Sequence, residues 1–435
     1  MRAAIPASLE YENVSVTVSN LKVAILGFGT VGSSVARILC DLKPQGIELT
    51  HIYNRNVARK RADWVPSSLH WTEDFETILA SDVNVVLELV GGLDPAGTWV
   101  RRALETGKSV VTANKKLIAF HGIELEKLAR SKGVHLLYGA AVAGGIPVIP
   151  GLQQGLAGDQ VTRIEGILNG TCNFILSKME EGAEFADVLR EAQGHGYAEA
   201  DPTEDVDGYD ARAKLVILSR LALRADIDPE EIPCRSIRKV SAIDFEYARE
   251  LGCTIRQIAR AELRGADVLA SVDPMLVPKA SPLAWSRGTE NTVLVGGHYG
   301  GNVVFSGHGA GGHPTAVAVV SDVIGIAHGS HAVDLPSRKT AIGGEFLLRH
   351  SIRFVVCDQP GIIAEIALAL AEQGINIHAI FQKPGYGKSS LPFVVTVEPC
   401  AVSALQRALA RIGKMTCLLE KPFDLQILEP EEDSH

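Results

Sequence analysis

The run 21–40, LKVAILGFGTVGSSVARILC, constrains this chain more than any other. A short β-type stretch meets a glycine-rich turn, and an amphipathic helix begins directly after it. The turn reads Gly27-Phe28-Gly29-Thr30-Val31-Gly32. A GxGxxG hexapeptide is weak evidence by itself. Between a strand and a helix it marks a dinucleotide-binding βαβ unit. Gly27 permits the tight turn, Gly29 lets the backbone approach a pyrophosphate, and Gly32 lets helix and sheet pack closely. The start of the helix then offers unpaired N–H groups to the anion.

Strands and helices continue to alternate after that unit. Strand candidates lie at 48–53, 83–90, 109–112 and 134–138, with helices at 99–105 and around 123–131. That alternation predicts a doubly wound parallel α/β sheet over 21–145. The texture then changes. A strand, a tight turn and a helix start occupy 160–175, helices follow at 183–195 and 208–222, and short β-like runs fill 250–310. This predicts a separate α+β domain, 146–312, with its own sheet, for catalysis and dimerisation. The nearly uncharged helix 313–330 is expected to pack back on the first domain. A polar connector, 331–349, leads to a small βαββαβ module over 350–435, and residues 1–20 read as a leader.

Bulk properties exclude several function classes. A chain of 435 residues exceeds one ordinary core, so two or three domains are expected. The net charge of −9 provides no basic surplus to offset phosphates, so no nucleic-acid partner is expected. Seven cysteines, scattered and never spaced CxxC, suit reduced thiols in a cytoplasm better than disulfides or zinc. The first 20 residues lack the apolar core of an export signal, and no run reaches the ~18–20 residues of a membrane span.

The choice of dinucleotide turns on the end of the second strand. NAD enzymes carry an acid there for the ribose hydroxyls. Here the chain reads Asn54-Arg55-Asn56, followed by Arg59, Lys60 and Arg61. Cations in place of an acid favour NADP, with NAD the alternative. Arg59–Arg61 also read as a solvated helix face.

The richest chemistry lies in 194–218, GHGYAEADPTEDVDGYDARAKLVIL. Asp210 and Lys214 are four apart on a predicted helix and share a face. Ile217, Leu218 and Leu221 extend that face, so Lys214 sits at the edge of an apolar stripe. Lost hydration there lowers a lysine pKa and favours proton transfer. Glu199 and its acidic neighbours precede it, suited to an ammonium-bearing substrate. Spacing alone is equally compatible with a surface ion pair.

These segments resemble homoserine dehydrogenase over about 21–326. The motifs are VTANK (111–115), VAGGIP (142–147), GILNGTCNFIL (166–176), GYAEADPTEDVDGYDARAK (196–214) and GHGAGGHPTA (307–316). The resemblance implies reversible reduction of L-aspartate 4-semialdehyde to L-homoserine, in the branch leading to threonine and methionine. It implies Lys214 as proton donor, Glu199 and Asp210 as substrate ligands, and Lys115 between cofactor and substrate. Gly196 and Gly311 would line the cofactor site. It further implies a sodium site of main-chain oxygens from Gly139, Val142, Gly144 and Ile146. Where many members have Glu at the first of these positions, this chain has Gly139. Cys172 could pass for the nucleophile of a thioester-forming semialdehyde dehydrogenase, but its motif does not use it so, and His195 and His308 read as structural. A third reading is a cofactor-binding sensor without catalysis. Asp358-Gln359-Pro360-Gly361 opening a helix and Gly374-Ile375-Asn376-Ile377 opening a strand resemble an ACT domain, which implies an L-threonine effector or a module for oligomerisation alone. A homodimer, or a homotetramer through paired ACT modules, is the implied assembly.

Overall fold

The first strand, β1 (Leu21–Leu26), is buried along its last four residues and lies at the centre of a six-stranded parallel sheet. Its partners are β2 (Ile47–Tyr53), β3 (His70–Thr72), β4 (Val85–Glu88), β5 (Ser109–Thr112) and β6 (Leu136–Leu137), in the order β3-β2-β1-β4-β5-β6. The computed structural model describes residues 20–329 and 337–429, so all but the last residue of the expected leader lies outside it, as do 330–336 and 430–435. Every residue of β4 and β5 is buried, as expected of parallel strands covered on both faces. One face carries the helices Ala96–Glu105 and Lys115–Ser131. The other carries Thr30–Leu42 and the apolar helix Gly312–Ala327, whose Val319 and Val323 meet Val23, Ile25 and Val35. Strand order reverses between β1 and β4, which opens a crevice at the carboxyl ends of the strands.

The rest of the chain departs from expectation in one large respect. Beyond β7 (Val161–Ile167) and the short β8 (Ala225–Asp226) come β9 (Cys253–Arg264), β10 (Asp267–Pro278), β11 (Glu290–Gly297) and β12 (Gly301–His308). After the two-residue β13 (Arg338–Lys339) follow β14 (Leu347–Val356), β15 (Ile377–Phe381), β16 (Leu391–Ala401) and β17 (Phe423–Ile427). Apart from the short pair β8 and β13, these strands do not divide into one sheet for each domain. A single nine-stranded sheet runs β12-β11-β7-β9-β10-β17-β14-β16-β15. The last strand closes the C-terminal unit against β14 and pairs in parallel with β10 through Met275–Gln426 and Leu276–Ile427.

Polar side chains fill that junction. Asp424 on β17 accepts from Arg235 Nη1 at 3.0 Å and Nη2 at 3.2 Å, and from Gln406 Nε2 at 3.3 Å. His350 Nδ1 lies 3.2 Å from the same carboxylate. Burial pushes the Asp424 carboxyl up, but His350 and Arg235 outweigh it and hold the group ionised. Arg260 donates to Gln426 Oε1 at 2.8 Å and stacks over Phe346. The described part of the polar connector, 337–349, is therefore anchored. β13 pairs with β8, Phe346 is buried, and β14 already begins at Leu347.

Candidate active site

At the crevice the three glycines meet three different demands. Gly27 has φ +99° and donates its N–H to Tyr53 O at 3.0 Å; a Cβ there would lie 2.9 Å from Leu89 O. Gly29 precedes the helix Thr30–Leu42, and nothing lies within 4 Å of where its Cβ would stand. A Cβ on Gly32 would overlap the Gly27 carbonyl oxygen. So the turn is closed at Gly27 and Gly32 and open at Gly29, where an anion would approach the helix start. Phe28 is buried between Trp64 and Trp71, and Thr30 O accepts from Ser34 Oγ. Gly311 begins the helix Gly312–Ala327, and a Cβ on Gly312 would press on Ser34 and Thr30, so this helix abuts the turn. Asn54 Oδ1 accepts from Asn56 N–H, which leaves Arg55 exposed at the loop tip, and the helix Val57–Lys60 presents Arg59 and Lys60 to solvent.

Two further residues shape the crevice, and the sequence reading missed both. Glu88 ends β4 fully buried and accepts from Thr112 Oγ1 at 2.6 Å and from the N–H groups of Val90 and Gly91 at 2.9 Å. It ties the loop after β4 to β5. The carboxylate at the end of an otherwise apolar strand was the available signal. Asn114 caps the helix Lys115–Ser131 through Leu117 N–H and holds Gly92 O at 2.6 Å.

That cap aims Lys115 out of the first domain. Its ammonium lies 2.7 Å from Asp210 Oδ1. The other carboxylate oxygen of Asp210 receives Lys214 Nζ at 2.7 Å and Asn169 Nδ2 at 2.8 Å. Lys214 also donates to Leu168 O at 2.6 Å. Side-chain exposures of 5% for Asp210 and 12% for Lys214 rule out the surface-pair reading. The sequence explains the placement. The helix Tyr209–Ala222 is buried on nearly every side from Leu215 onward, so its first turn, with Asp210 and Lys214, is drawn against the strand end at Leu168.

Electrostatics divide the two lysines. Burial lowers the pKa of Lys214, with Asp210 opposing and Lys115 reinforcing the fall. Asp210 raises that of Lys115, whose side chain is 38% exposed. Burial pushes against ionisation of Asp210, yet Lys214 and Lys115 together hold its carboxyl far below the usual range. The result is a fixed carboxylate between a strongly charged lysine and a more readily deprotonated one. That pairing suits proton transfer to an oxygen at the crevice.

The acid brought into this cluster is Asp205. Asn169 Nδ2 reaches its Oδ1 at 2.7 Å, and burial and Asp210 push its carboxyl upward. Glu199 is exposed, with its backbone carbonyl held by Gln193. Gly196, with φ +73°, neighbours Tyr197, whose carbonyl accepts from Thr171 Oγ1 at 2.7 Å. It thus stands on the Asn169 side of the crevice. Cys172 is fully buried, its thiol hydrogen-bonded to Asp205 O and its pKa pushed well up by burial, which is the opposite of an activated nucleophile.

Among the described residues no cluster of three or more His, Cys, Asp or Glu is placed to hold a metal. The segment 139–146 is different in kind. Gly139–Ala141 is a 3₁₀ turn, Ala143 and Gly144 both take left-handed conformations, and a Cβ on Gly144 would collide with Gly309. Beside Gly139 the space for a side chain is filled by Asp322, which accepts its N–H at 2.8 Å. Burial pushes the Asp322 carboxyl up to about 7.

A glycine turn at the switch point of a parallel sheet, with a buried Asp210–Lys214 pair joined to Lys115 at the start of the helix that follows β5, suits a nicotinamide-dependent oxidoreductase. Family models agree and go further. That for the homoserine dehydrogenase NAD-binding domain matches 27–139, that for homoserine dehydrogenase matches 147–324, and that for the ACT domain matches 350–415. A homoserine dehydrogenase of Synechocystis is 37% identical over 434 residues, covering 94% of this chain and 99% of the relative. The crystal structure of a homoserine dehydrogenase from Thiobacillus denitrificans superposes with a TM-score of 0.86 at 33% identity, covering 94% of this chain and 98% of that one. A hyperthermophilic archaeal homoserine dehydrogenase in complex with NADPH covers 72% of this chain and 99% of its own, at 28% identity and a TM-score of 0.62. The chain belongs to the homoserine dehydrogenase family, NAD(P)-dependent oxidoreductases acting on CH–OH groups, and carries a C-terminal ACT domain.

Proposed function

We propose that this chain interconverts L-aspartate 4-semialdehyde and L-homoserine with NADP, in the cytoplasmic branch toward threonine and methionine, and that Lys214 is its proton donor. The observation that carries the reading is the array in which Asp210 joins the largely buried Lys214 to the half-exposed Lys115, which heads the helix leaving β5. Bound dinucleotide supplies the hydride to the aldehyde carbon. Lys214 gives its proton to the carbonyl oxygen, becomes a neutral amine and is recharged from solvent. Asp210 orients both ammonium groups, and Lys115 would lie between cofactor and substrate. Glu199, with the acids after it, meets the substrate ammonium. Gly27, Phe28, Gly29, Thr30, Val31 and Gly32 cradle the pyrophosphate, with Gly196 and Gly311 at the edges of the cofactor site.

NADP is favoured because Asn54 and Arg55 stand where NAD enzymes place an acid, and a relative of known structure holds NADPH. Arg55→Ala is expected to raise KM for NADPH about tenfold, the worth of one charge-assisted contact, while leaving NADH kinetics nearly unchanged. An unaltered NADPH-to-NADH ratio would remove Arg55 from the selectivity. The direct test of the activity is oxidation of NADPH, then of NADH, by aspartate semialdehyde; absence of turnover with both would overturn the assignment.

Gly139, Val142, Gly144 and Ile146 would hold sodium through main-chain oxygens, a donor set suited to a hard cation. Such an ion would brace the 139–146 segment against the glycine loop 307–312 and take no part in the proton transfer. For the ACT domain we infer L-threonine as effector, bound near Asp358–Gly361 at the start of the helix Ile362–Ala371. Threonine is expected to slow the wild-type enzyme and to lose that effect in Asp358→Ala, with basal turnover retained. Rates indifferent to threonine would leave the domain an assembly role, in a homodimer or homotetramer.

A further inference from the structure

Asn169 bridges two carboxylates, that of Asp205 and that of Asp210, the second of which holds Lys214. It is 4% exposed and stands where β7 gives way to the helix Gly170–Glu180. All of its side-chain hydrogen-bonding capacity but one lone pair is committed. Its Oδ1 accepts from Cys172 N–H at 2.8 Å, the ordinary bond of a helix N-cap. Its amide nitrogen donates to Asp205 Oδ1 at 2.7 Å and to Asp210 Oδ2 at 2.8 Å. The second of these shares its acceptor oxygen with Lys214 Nζ. The residue before it supplies the carbonyl that holds Lys214 from the other side. Leu168–Asn169 therefore fixes both partners of the acid–base pair.

We propose that Asn169 is a positioning residue for proton transfer, a neutral bridge whose two N–H groups hold Asp205 and Asp210 apart and keep Asp210 Oδ2 on Lys214. The proposal rests on the reading of Lys214 as proton donor. Its physical content is a matter of charge. Two acids and two lysines meet here, with Cys172 neutral beside them on the Asn169 helix. Like-charged carboxylates in one buried site force one of them to protonate unless a donor satisfies both. An amide does so without adding charge or a titrating group. No other residue type of this size carries two N–H donors and a cap acceptor together.

Capping and positioning are separable, because Asp and Ser cap helices about as well as Asn while neither supplies two N–H donors. Asn169→Asp and Asn169→Ser are compared with the wild type and with Lys214→Ala by steady-state kinetics from pH 6 to 9, by thermal unfolding and by NADPH binding. Both Asn169 variants are expected to unfold near the wild-type temperature, to bind NADPH normally and to lose about 10²-fold in kcat at pH 8, the cost of a misplaced reacting group. In Asn169→Asp, activity is expected to recover as pH falls, because a protonated carboxyl can again donate one bond. Groups facing that new carboxyl are Asp205, Asp210, Lys214, Lys115 and Cys172; the two acids raise its pKa and the two ammonium groups lower it, so the recovery is sought at the acid end of the profile. Asn169→Ser is expected to show no such recovery. Asn169→Asp with wild-type turnover at pH 8 would reduce Asn169 to a helix cap and overturn the proposal. If that variant does not fold, Asn169→Ser decides in its place by the same kcat criterion. Full activity of Lys214→Ala would sink the lysine assignment itself, a failure distinct from wild-type turnover in the Asn169 variants alone.

Discussion

Lys214→Ala is expected to lower kcat for aldehyde reduction by about 10²–10⁴-fold, the usual contribution of one positioned general acid. Dinucleotide binding should survive, because Asp210 retains Lys115 as a partner at 2.7 Å. The pH profile supplies the sign. Burial lowers the Lys214 pKa below its ordinary 10.5. Reduction requires the ammonium, so its rate should fall as pH rises through that lowered value. Oxidation of homoserine requires the free amine, so its rate should climb over the same interval. A guanidinium stays charged throughout, and Lys214→Arg should abolish both limbs along with most of the activity. Opposed limbs in wild type and flat profiles in the variant would establish the role. A wild-type profile in Lys214→Ala would refute it.

Gly32→Ala is expected to have the second largest effect, and Gly29→Ala is its control. A methyl at 32 would overlap the Gly27 carbonyl oxygen, and that backbone cannot yield. Gly27 N–H is held by Tyr53 O, and Leu89 O stands close to where a Cβ of Gly27 would lie, so the turn has little room to shift. The helix Thr30–Leu42 must then lift off the sheet and disturb Val35, Ala36 and Leu39. Overpacking of this kind costs roughly 1–3 kcal/mol, so thermal unfolding should shift down while KM for the dinucleotide rises steeply. Gly29 has open space around it and an extended backbone, so Ala there should leave the unfolding temperature unchanged. Its methyl would nevertheless stand where the pyrophosphate approaches. Weakened dinucleotide binding without lost stability is the expected signature. Equal losses of stability in the two variants would contradict the division of labour among the glycines.

The parts of this molecule that the sequence revealed are those whose physics is local. The glycine turn declares itself within six residues, and the lysine–aspartate pair within one helical turn. Burial of Lys214 was foreseeable from the apolar residues that follow it. Asn169 was not, because an Asn before a helix reads as a cap and nothing in the spacing shows the carboxylates 36 and 41 positions away. Asp205 was hidden among the acids that follow Glu199, the one the sequence reading singled out, and lies in the short helix Thr203–Val206. β9 and β10 read as short runs because Arg256, Arg260, Asp273 and Pro274 interrupt their apolar pattern. These strands are buried on both faces for most of their length; Arg260 is met by Gln426 of the C-terminal unit, while Arg256 pairs with Glu180 and Asp273 with Arg235. The pairing of β10 with β17 joins residues some 150 positions apart, beyond any local signal.

That pairing makes the boundary near residue 350 a border in the sequence without a seam in the solid. Cutting the chain there would not release a detachable module. It would bare the hydrogen-bonding edge of β10 at Met275 and Leu276, strip Arg235 of Asp424 and Arg260 of Gln426, and uncover Leu425 and Ile427's side of the core around Ile255 and Leu276. An exposed edge beside freshly unpaired arginines invites association with other chains. The C-terminal unit is thus a continuation of the sheet that carries the second domain, and its last strand is part of that domain's own frame.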